Sequence, residues 1–383
     1  MAGLNPAVDP DGLLEYSVVF TDRALNHMSR RFQQVMLDLG SVLRETYRAD
    51  SVAIVPGGGT YGMEAVARQF GTGQHCLVLR NGWFSFRWSE IFQAGSIPAS
   101  ETVLMARRVN ASATAPFAPA PLAEVVDAIR RDRPQVVFAP HVETAAGMIL
   151  PDDYLRAVAD AVHEVGGLFV LDCIASGTVW VDMQALGIDV LISAPQKGWS
   201  GPPCAALVML SARAAQRLGE TTSTSYAADL KRWRGIMKAY EDGAHAYHAT
   251  MPTDALTRVR DAMLETRSFG LERAADAQWE LGSRVRALLG EFGYRSVAAE
   301  GFQAPGVVVS YTDDPELQSS RRFLALGLQT AAGVPLRCDE PPGFSTFRIG
   351  LFGLDKLGDI DRTVANLHQA LRVVADERSR RVA

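Results

Sequence analysis

The sequence predicts an α/β protein with a large domain built on a mostly parallel sheet, followed by a smaller α+β domain. In the central 200 or so residues, short apolar runs alternate with stretches of helical apolar spacing, as strands and covering helices do around a parallel sheet. After about residue 255, long amphipathic helices replace this pattern. A chain of 383 residues can bury both cores. We therefore predict an N-terminal segment at 1–20, a large domain at 21–255 and a small domain at 256–383.

The individual elements follow from these patterns in chain order. Strands of the large domain are predicted where the apolar runs occur, at residues 52–55, 76–79, 136–139, 168–171, 190–192 and 205–210. Helices are predicted where apolar residues recur at helical spacing, from near residue 31 and at 63–68, 122–129, 154–165 and 212–218. The small domain is predicted to have helices within 256–292 and 367–374 and strands near 307–309 and 347–349.

Charge and cysteine content exclude several classes of function. A net charge of −5 and a pI near 5.9 give no electrostatic reason to bind nucleic acid or an anionic membrane. No apolar run is long enough to span a bilayer, and the first six residues (MAGLNP) do not begin a basic region followed by an apolar core. The four cysteines are widely spaced without a CxxC pair, and His245 and His248 have no third ligand nearby. We therefore expect a soluble, cytoplasmic protein without a metal.

One of the few lysines lies where a solvated side chain is not expected. Only four of the 38 Lys and Arg residues are lysines, and Lys197 alone follows an apolar run, at residues 190–195 (VLISAP). Burial lowers the pKa of an amine and makes it a nucleophile that can form a Schiff base. The alternative is a lysine that extends from a strand end into solvent.

A glycine cluster at residues 57–62 (GGGTYG) follows a predicted strand and opens a predicted helix. Its spacing matches the G-x-G-x-x-G pattern of dinucleotide-binding folds. However, more than fifty residues precede the strand, and residues 79–82 (LRNG) offer no acidic group for a ribose. Free N–H groups at a helix N-terminus bind phosphate. We therefore predict that Gly58, Gly59 and Thr60 bind a phosphate monoester, with a purely structural turn as the alternative.

Asp172 ends the predicted strand at 168–171 and would lie at the carboxyl edge of the sheet, where α/β proteins form ligand crevices. Lys197 follows 25 residues later, which fits one strand–helix–strand step to an adjacent strand. A buried carboxylate needs a cationic partner, and the protonated nitrogen of a pyridine ring would supply one. A phosphate site, a reactive lysine and this carboxylate together indicate pyridoxal phosphate. Helix capping or loop anchoring is the alternative for Asp172 alone.

Seven segments carry a family resemblance. Residues 171–176 (LDCIAS) and 187–203 (GIDVLISAPQKGWSGPP) resemble the class V aminotransferases of pyridoxal-phosphate fold type I. Within them, the sequence is most similar to the alanine–glyoxylate and serine–pyruvate aminotransferase branch. The other segments agree in order and spacing, at residues 57–65, 81–87, 141–147, 247–252 and 347–353. The resemblance runs from about residue 27 to about residue 375.

The resemblance implies a cofactor role for each matching residue. Lys197 would form the Schiff base with pyridoxal phosphate and carry a proton between the substrate Cα and the cofactor C4′. Asp172 would pair with the pyridine nitrogen. The remaining contacts would come from Gly58, Gly59, Thr60 and Gln196 at the phosphate, Phe84 and Ile174 on the two ring faces, and Thr144 near the ring hydroxyl.

The resemblance also implies an assembly and a substrate contact. Tyr247 and Thr250 would reach the phosphate of the other subunit, so the active unit would be a homodimer with shared sites. Arg348 would bind the substrate α-carboxylate through two hydrogen bonds, a geometry that lysine cannot supply.

This chain departs from the family pattern in three places. Residues 17–24 (SVVFTDRA) replace the Pro-Gly-Pro segment that helps to form the substrate pocket. Cys204 stands where a glycine is expected, and Thr60 stands where the glyoxylate enzymes often have histidine. These changes leave the cofactor chemistry untouched, but they leave the amino donor and acceptor open.

The resemblance implies transamination between a small alanine- or serine-like amino acid and a 2-oxo acid such as glyoxylate or pyruvate. The alternative is a pyridoxal-phosphate lyase or cysteine desulfurase on the same fold. Desulfurases typically have a histidine before the lysine and a mobile cysteine loop, whereas here Gln196 precedes Lys197 and Cys338 is followed by Asp-Glu-Pro-Pro. A nicotinamide-dependent dehydrogenase built on residues 57–62 is a third hypothesis.

Overall fold

The computed structural model of the chain describes residues 5–382. Residues 1–4 of the predicted N-terminal segment and residue 383 of the predicted small domain lie outside the described residues. The helices of the described chain are α1 (Arg30–Tyr47), α2 (Gly59–Val66), α3 (Trp83–Gly95), α4 (Leu122–Asp132), α5 (Asp152–Glu164), α6 (Met183–Leu186), α7 (Ala212–Glu220), α8 (Leu230–Glu241), α9 (Thr253–Phe269), α10 (Leu271–Glu291), α11 (Pro315–Gln318), α12 (Arg321–Ala325), α13 (Leu354–Leu357) and α14 (Ile360–Val382).

The strands form one large sheet and three small ones. They are β1 (Ser51–Pro56), β2 (His75–Arg80), β3 (Ser100–Met105), β4 (Arg107–Arg108), β5 (Phe117–Ala118), β6 (Val136–Pro140), β7 (Val142–Glu143), β8 (Met148–Ile149), β9 (Leu168–Asp172), β10 (Val190–Ser193), β11 (Ala205–Leu210), β12 (Val307–Tyr311), β13 (Ala331–Ala332) and β14 (Thr346–Gly350). The large sheet has seven strands in the order β1-β11-β10-β9-β6-β2-β3. Its neighbouring strands are parallel except where β11 pairs antiparallel with β1 and β10. This mostly parallel sheet confirms the predicted α/β class.

The central strands are buried on both faces, as their unbroken apolar sequences predict. Every residue of β9 (LFVLD) and of β11 (AALVML) is buried. Helix α5 covers the sheet through an apolar stripe that includes Leu155, Val158 and Val162. Because β9 and β10 are parallel neighbours, with Asp172 opposite Ile192, the residues that follow both strands meet at one edge of the sheet. That edge is where the predicted site residues lie.

Most of the predicted elements are present, and the longer elements that the apolar pattern did not predict are β3, α3 and α8. The six predicted strands of the large domain correspond to β1, β2, β6, β9, β10 and β11, and the predicted helices to α1, α2, α4, α5 and α7. Strand β3 was missed because it lies at the sheet edge and none of its residues is fully buried. Helices α3 and α8 were also missed. In α8 (LKRWRGIMKAYE), charged residues interrupt the apolar stripe.

The C-terminal part of the chain forms an antiparallel sheet in the order β12-β14-β13. Helices α10 and α14 share a separate hydrophobic cluster with it, which includes Leu281, Phe347 and Leu371. The predicted helices within 256–292 correspond to α9 and α10, which are separated by Gly270 with a φ of +102°. Helix α9 crosses the predicted domain boundary, and its Val259 packs in the cluster around the large sheet. The division at 255 stays a prediction.

Within residues 5–382, no helix is both long and apolar enough to cross a bilayer.

Candidate active site

A cavity of about 230 Å³ lies at the carboxyl edge of the large sheet. It gathers eight of the residues that the sequence pointed to, which are Gly59, Thr60, Phe84, Thr144, Asp172, Ile174, Gln196 and Lys197. Met63, Arg87, Val142 and Ala175 complete the lining. These residues are far apart in the sequence, so the fold itself brings the predicted phosphate turn, carboxylate and lysine into one site.

Asp172 ends β9, as predicted, and its side chain is buried at 7% exposure. Its Oδ1 accepts a hydrogen bond from the Ile174 backbone N–H at 2.9 Å, while Oδ2 has no hydrogen-bond partner in the described chain. Burial raises the pKa of Asp172 to about 7, and the neighbouring Glu143 contributes to the rise. A buried carboxyl group with one free oxygen at a cavity suits a cationic ring nitrogen.

Lys197 lies in the loop between β10 and β11, four residues beyond Ser193, and not at the strand end as the sequence suggested. Its side chain is half-buried, and Nζ stands 5.0 Å from the ring centroid of Phe352. Burial lowers the pKa of Lys197, the Arg348 charge lowers it further, and Asp172 opposes this effect. A lowered pKa increases the fraction of neutral amine, which is the nucleophilic form.

The glycine turn between β1 and α2 has the geometry of an anion site. Gly57 has a φ of +120°, and the backbone N–H groups of Gly58, Gly59 and Thr60 have no protein acceptor in the described residues. A Cβ atom at Gly59 would lie 2.5 Å from Cδ1 of Ile174, so this position cannot carry a larger residue without moving Ile174. Free N–H groups at a helix N-terminus, open to a cavity, suit a phosphate group.

The same turn lacks the setting of a dinucleotide-binding motif. Strand β1 lies at the end of the large sheet and pairs antiparallel with β11. A dinucleotide fingerprint requires its strand to lie in a parallel strand–helix–strand unit. This topology counts against the dehydrogenase hypothesis.

Phe84 is held at the cavity by a residue that the sequence did not single out, Glu143. The Glu143 carboxylate is fully buried and accepts from the backbone N–H groups of Phe84 at 3.2 Å and Ser85 at 2.9 Å. It also accepts from the Ser85 hydroxyl at 2.8 Å and the Ala145 N–H at 2.9 Å. Glu143 therefore caps the N-terminus of α3 and fixes the start of the helix that carries Phe84.

Arg87 is the second residue that sequence reasoning missed. It follows Phe84 by three positions on α3, so the two side chains share a helix face. Its Nη1 donates to the Thr60 Oγ1 at 3.0 Å, and its guanidinium carbon lies 5.2 Å from the Phe84 ring centroid. The three-residue spacing from Phe84 would have identified Arg87 as a neighbour of Phe84. This spacing places the two side chains on one face only if residues 83–95 form a helix, which the sequence did not predict.

Arg348, on β14, lies beside the cavity without lining it. Its guanidinium carbon is 5.5 Å from the ring centroid of Phe84, and its Nε donates to the Ala332 carbonyl at 2.8 Å. The two Nη nitrogens have no protein acceptor among residues 5–382. Burial lowers the pKa of Arg348, and Glu143 opposes this effect. The free side of the guanidinium can donate two hydrogen bonds to a carboxylate.

Tyr247 and Thr250 are not brought into this chain's own cavity. Tyr247 is 55% exposed, and its hydroxyl lies 3.1 Å from the Thr250 Oγ1. The Tyr247 ring stands 5.7 Å from the ring of His27. An exposed position is compatible with contact to a second copy of the chain, and that role stays a prediction.

Comparison with known proteins points to one enzyme family. The family described as aminotransferase class-V matches residues 14–293. The chain is 27% identical to a protein named soluble hydrogenase small subunit from Synechococcus sp., over 91% of this chain and 87% of that one. It is 28% identical to a 2-aminoethylphosphonate–pyruvate transaminase from Paraburkholderia phymatum, over 91% of this chain and 89% of the relative.

The fold has solved counterparts. The structure of an alanine–glyoxylate aminotransferase from Nostoc sp. superposes with a TM-score of 0.76 at 22% identity, covering 91% of this chain and 89% of that protein. This likeness confirms the predicted pyridoxal-phosphate fold type I.

Proposed function

This chain belongs to the class-V aminotransferase family, and we propose that it moves an amino group between a small amino acid and a 2-oxo acid. The amino acid is alanine- or serine-like, and the oxo acid is of the glyoxylate or pyruvate type. The family implies pyridoxal phosphate as the cofactor. The observation that supports this proposal is the composition of one cavity. Lys197 with its lowered pKa, the buried carboxyl group of Asp172 and the phosphate-type turn all line it. The Arg348 guanidinium, with its two free Nη nitrogens, lies beside it.

The residues present fit this cofactor. When bound, pyridoxal phosphate supplies an aldehyde that takes up an amino group and a ring that withdraws electrons from the substrate Cα. The free Oδ2 of Asp172 would hold the protonated pyridine nitrogen. The remaining cofactor contacts that we propose are Gly58, Gly59, Thr60 and Gln196 at the phosphate, Phe84 and Ile174 on the ring faces, and Thr144 near the ring hydroxyl.

Lys197 would move the proton of the reaction. Its Nζ, in the neutral form that a lowered pKa favours, removes the proton from the substrate Cα and delivers it to the cofactor C4′. Asp172 must stay ionised to keep the pyridine nitrogen protonated, because the ring withdraws electrons best in that state. The two residues therefore act in the same reaction. Lys197 transfers the substrate proton, and Asp172 keeps the pyridine nitrogen protonated.

Arg348 gives the substrate class. A guanidinium with both Nη nitrogens free suits a carboxylate, so we propose that amino acids and 2-oxo acids bind through their α-carboxylate at this residue. The small cavity volume favours short side chains. The names of two similar proteins agree with this choice, because they include glyoxylate and pyruvate.

The cysteines argue against a desulfurase. All four are buried and unpaired. Burial raises the pKa of Cys76 to about 12 and that of Cys204 to about 11, and it also raises the pKa of Cys173 and Cys338. A catalytic cysteine must be accessible and readily ionised. The geometry therefore favours transamination over the desulfurase alternative.

We propose that the working unit is a cytoplasmic homodimer. Tyr247 and Thr250 form an exposed hydroxyl pair outside their own cavity, which would let them reach the phosphate of a second copy. Sedimentation at assay concentration should therefore give a dimer, and mutation of Thr250 to valine should weaken cofactor binding without changing the cavity of its own chain. A fully active monomer would contradict this assignment.

A half-reaction screen tests the proposed function. Amino acids are added singly to the cofactor-loaded protein without an acceptor, and the visible absorbance of bound pyridoxal phosphate is followed. We expect alanine or serine to bleach the band and glyoxylate or pyruvate to restore it, because donor and acceptor bind in turn. If 2-aminoethylphosphonate alone bleaches the band, the donor is that of the Paraburkholderia relative instead. A colourless protein that binds NAD would refute the cofactor assignment.

The same screen on Arg348→Ala tests the substrate contact. We expect kcat/KM for carboxylate donors to fall by roughly 2–4 kcal/mol in free-energy terms, because a charged pair is lost. Arg337→Ala is the matched control, since Arg337 is exposed and stacks on Trp83 at 5.2 Å, away from the cavity lining. If ethanolamine, which has no carboxylate, is as good a donor as alanine, the role of Arg348 is wrong.

A further inference from the structure

We propose that Arg87 is the cation that binds the cofactor phosphate. The inference rests on the proposed function, because it takes pyridoxal phosphate as the ligand, and it adds a residue outside the predicted contacts. Arg87 and Lys197 are the cationic residues in the lining of the cavity. Lys197 must be neutral to react, so Arg87 is the side chain there that can carry a permanent positive charge.

The position of Arg87 assigns it to the phosphate end of the cavity. Its Nη1 donates to the Oγ1 of Thr60 at 3.0 Å. Thr60 is the second residue of α2, next to the N–H groups of Gly58 and Gly59 that have no acceptor in the described chain. A hydroxyl that accepts from Arg87 keeps its own hydrogen free to donate to a phosphate oxygen. The guanidinium, the hydroxyl and the turn can therefore bind one anion together.

Arg87 is also held in place without an ion pair inside the described chain, although its charge acts on Asp172 in the same cavity and lowers the pKa of that carboxyl group. Its guanidinium stands over the Phe84 ring at 5.2 Å, and α3, which carries both residues, is fixed at its N-terminus by the buried Glu143. No Asp or Glu of the described chain forms an ion pair with Arg87, although the side chain is half-buried. A half-buried guanidinium without a carboxylate at ion-pair distance is suited to a ligand anion.

The charge balance makes such a cation necessary. A phosphate monoester carries about −1.5 to −2 charges near neutral pH, whereas a helix N-terminus offers only about +0.5. Of the other ionisable residues in the cavity lining, Lys197 must be neutral to react and Asp172 is an acid. The α2 N-terminus alone would leave most of the phosphate charge without compensation, whereas Arg87 supplies a full positive charge within hydrogen-bonding distance of Thr60 at that N-terminus.

A competing role for Arg87 is recognition of a second acidic group on the substrate. The two roles separate cleanly, because pyridoxal has the ring and aldehyde of the cofactor without the phosphate. A phosphate contact affects only pyridoxal phosphate, whereas a substrate contact affects only acidic amino donors.

The experiment titrates the cofactor-free 383-residue chain with pyridoxal phosphate and, separately, with pyridoxal, following visible absorbance. Arg87→Gln should weaken pyridoxal phosphate binding by about ten- to hundredfold, the usual effect of losing a charge-assisted hydrogen bond, and leave pyridoxal binding unchanged. Arg87→Lys should give an intermediate loss, because it keeps the charge and loses the planar fork. The control Arg337→Gln should behave as wild type.

Inorganic phosphate gives a second readout. It should compete with pyridoxal phosphate for the wild-type protein and compete less for Arg87→Gln. Arg87→Met, which keeps an apolar stem over Phe84, replaces the glutamine variant if that variant does not fold. Equal losses for both ligands, or unchanged pyridoxal phosphate binding with weaker binding of acidic donors, would overturn the proposal. A wild-type protein that binds neither ligand would instead refute the proposed function.

Discussion

Replacing Lys197 with alanine should abolish the visible absorbance of the bound cofactor and lower turnover by about 10⁴-fold or more, because one side chain supplies both the covalent attachment and the proton transfer. The lowered pKa of Lys197 arises first from burial and then from Arg348. The alanine variant should fold, since within the described chain the half-buried amine forms no hydrogen bond or ion pair and its close contact is with the Phe352 ring. Absorbance titration with pyridoxal phosphate and steady-state kinetics measure the two effects.

The scarcity of lysine sharpens this test. With only four lysines in the chain, borohydride reduction of the loaded protein followed by peptide mapping should label Lys197 alone. Lys238→Ala is the matched control, because Lys238 is exposed and pairs with Asp242 on the surface. Retention of the absorbance band or of turnover by Lys197→Ala, or labelling of another lysine, would refute the assignment.

The predicted centre of the site came from local patterns that the fold preserves. Asp172 was recognisable because it directly follows an apolar strand, and β9 does end there. Lys197 was recognisable because it follows the next strand, and β9 and β10 are indeed parallel neighbours. When two strands pair in parallel, the residues that follow them meet at one sheet edge. A short-range pattern was therefore enough to predict that two residues separated by a helix lie close together.

The residues that were missed depend on contacts between distant segments. Glu143 acts through hydrogen bonds to Phe84 and Ser85, nearly sixty positions earlier in the chain. The role that we propose for Arg87 depends on its hydrogen bond to Thr60, which lies on another helix. Helix α3, which carries Arg87, has a mixed apolar and polar sequence in which no strong stripe indicates its buried face. No local spacing encodes such pairings, so they emerge only from the assembled fold.

Replacing Asp172 with asparagine should have opposite effects on catalysis and on the stability of the cofactor-free protein. An amide cannot keep the pyridine nitrogen protonated. We therefore expect kcat/KM to fall by about 2–5 kcal/mol in free-energy terms, the usual cost of removing one member of a buried charge pair. Steady-state kinetics at saturating pyridoxal phosphate measure this loss. A variant with wild-type kcat/KM would show that Asp172 has only a structural role.

The stability effect follows from the pKa of Asp172, which burial raises to about 7 from its ordinary 3.8. Because the folded chain binds this proton more tightly than the unfolded chain, the Asp172 contribution to stability is present at low pH and is lost as the pH rises towards 7. Asparagine does not titrate. Between about pH 5 and about pH 8, the free energy of unfolding of the wild type should therefore fall by roughly 2–3 kcal/mol relative to that of Asp172→Asn.

Urea unfolding of both cofactor-free proteins at the two pH values measures this difference. Bound pyridoxal phosphate should reverse its sign, because the ionised carboxylate then gains a cationic partner that the amide cannot match. An unfolding difference independent of pH in the cofactor-free proteins would mean that Asp172 is solvated, and the carboxyl group would then be unable to hold a ring nitrogen in a water-poor site. Ionisation of Asp172 therefore lowers the stability of the cofactor-free wild type at neutral pH, and the cationic ring nitrogen offsets this cost when the cofactor binds.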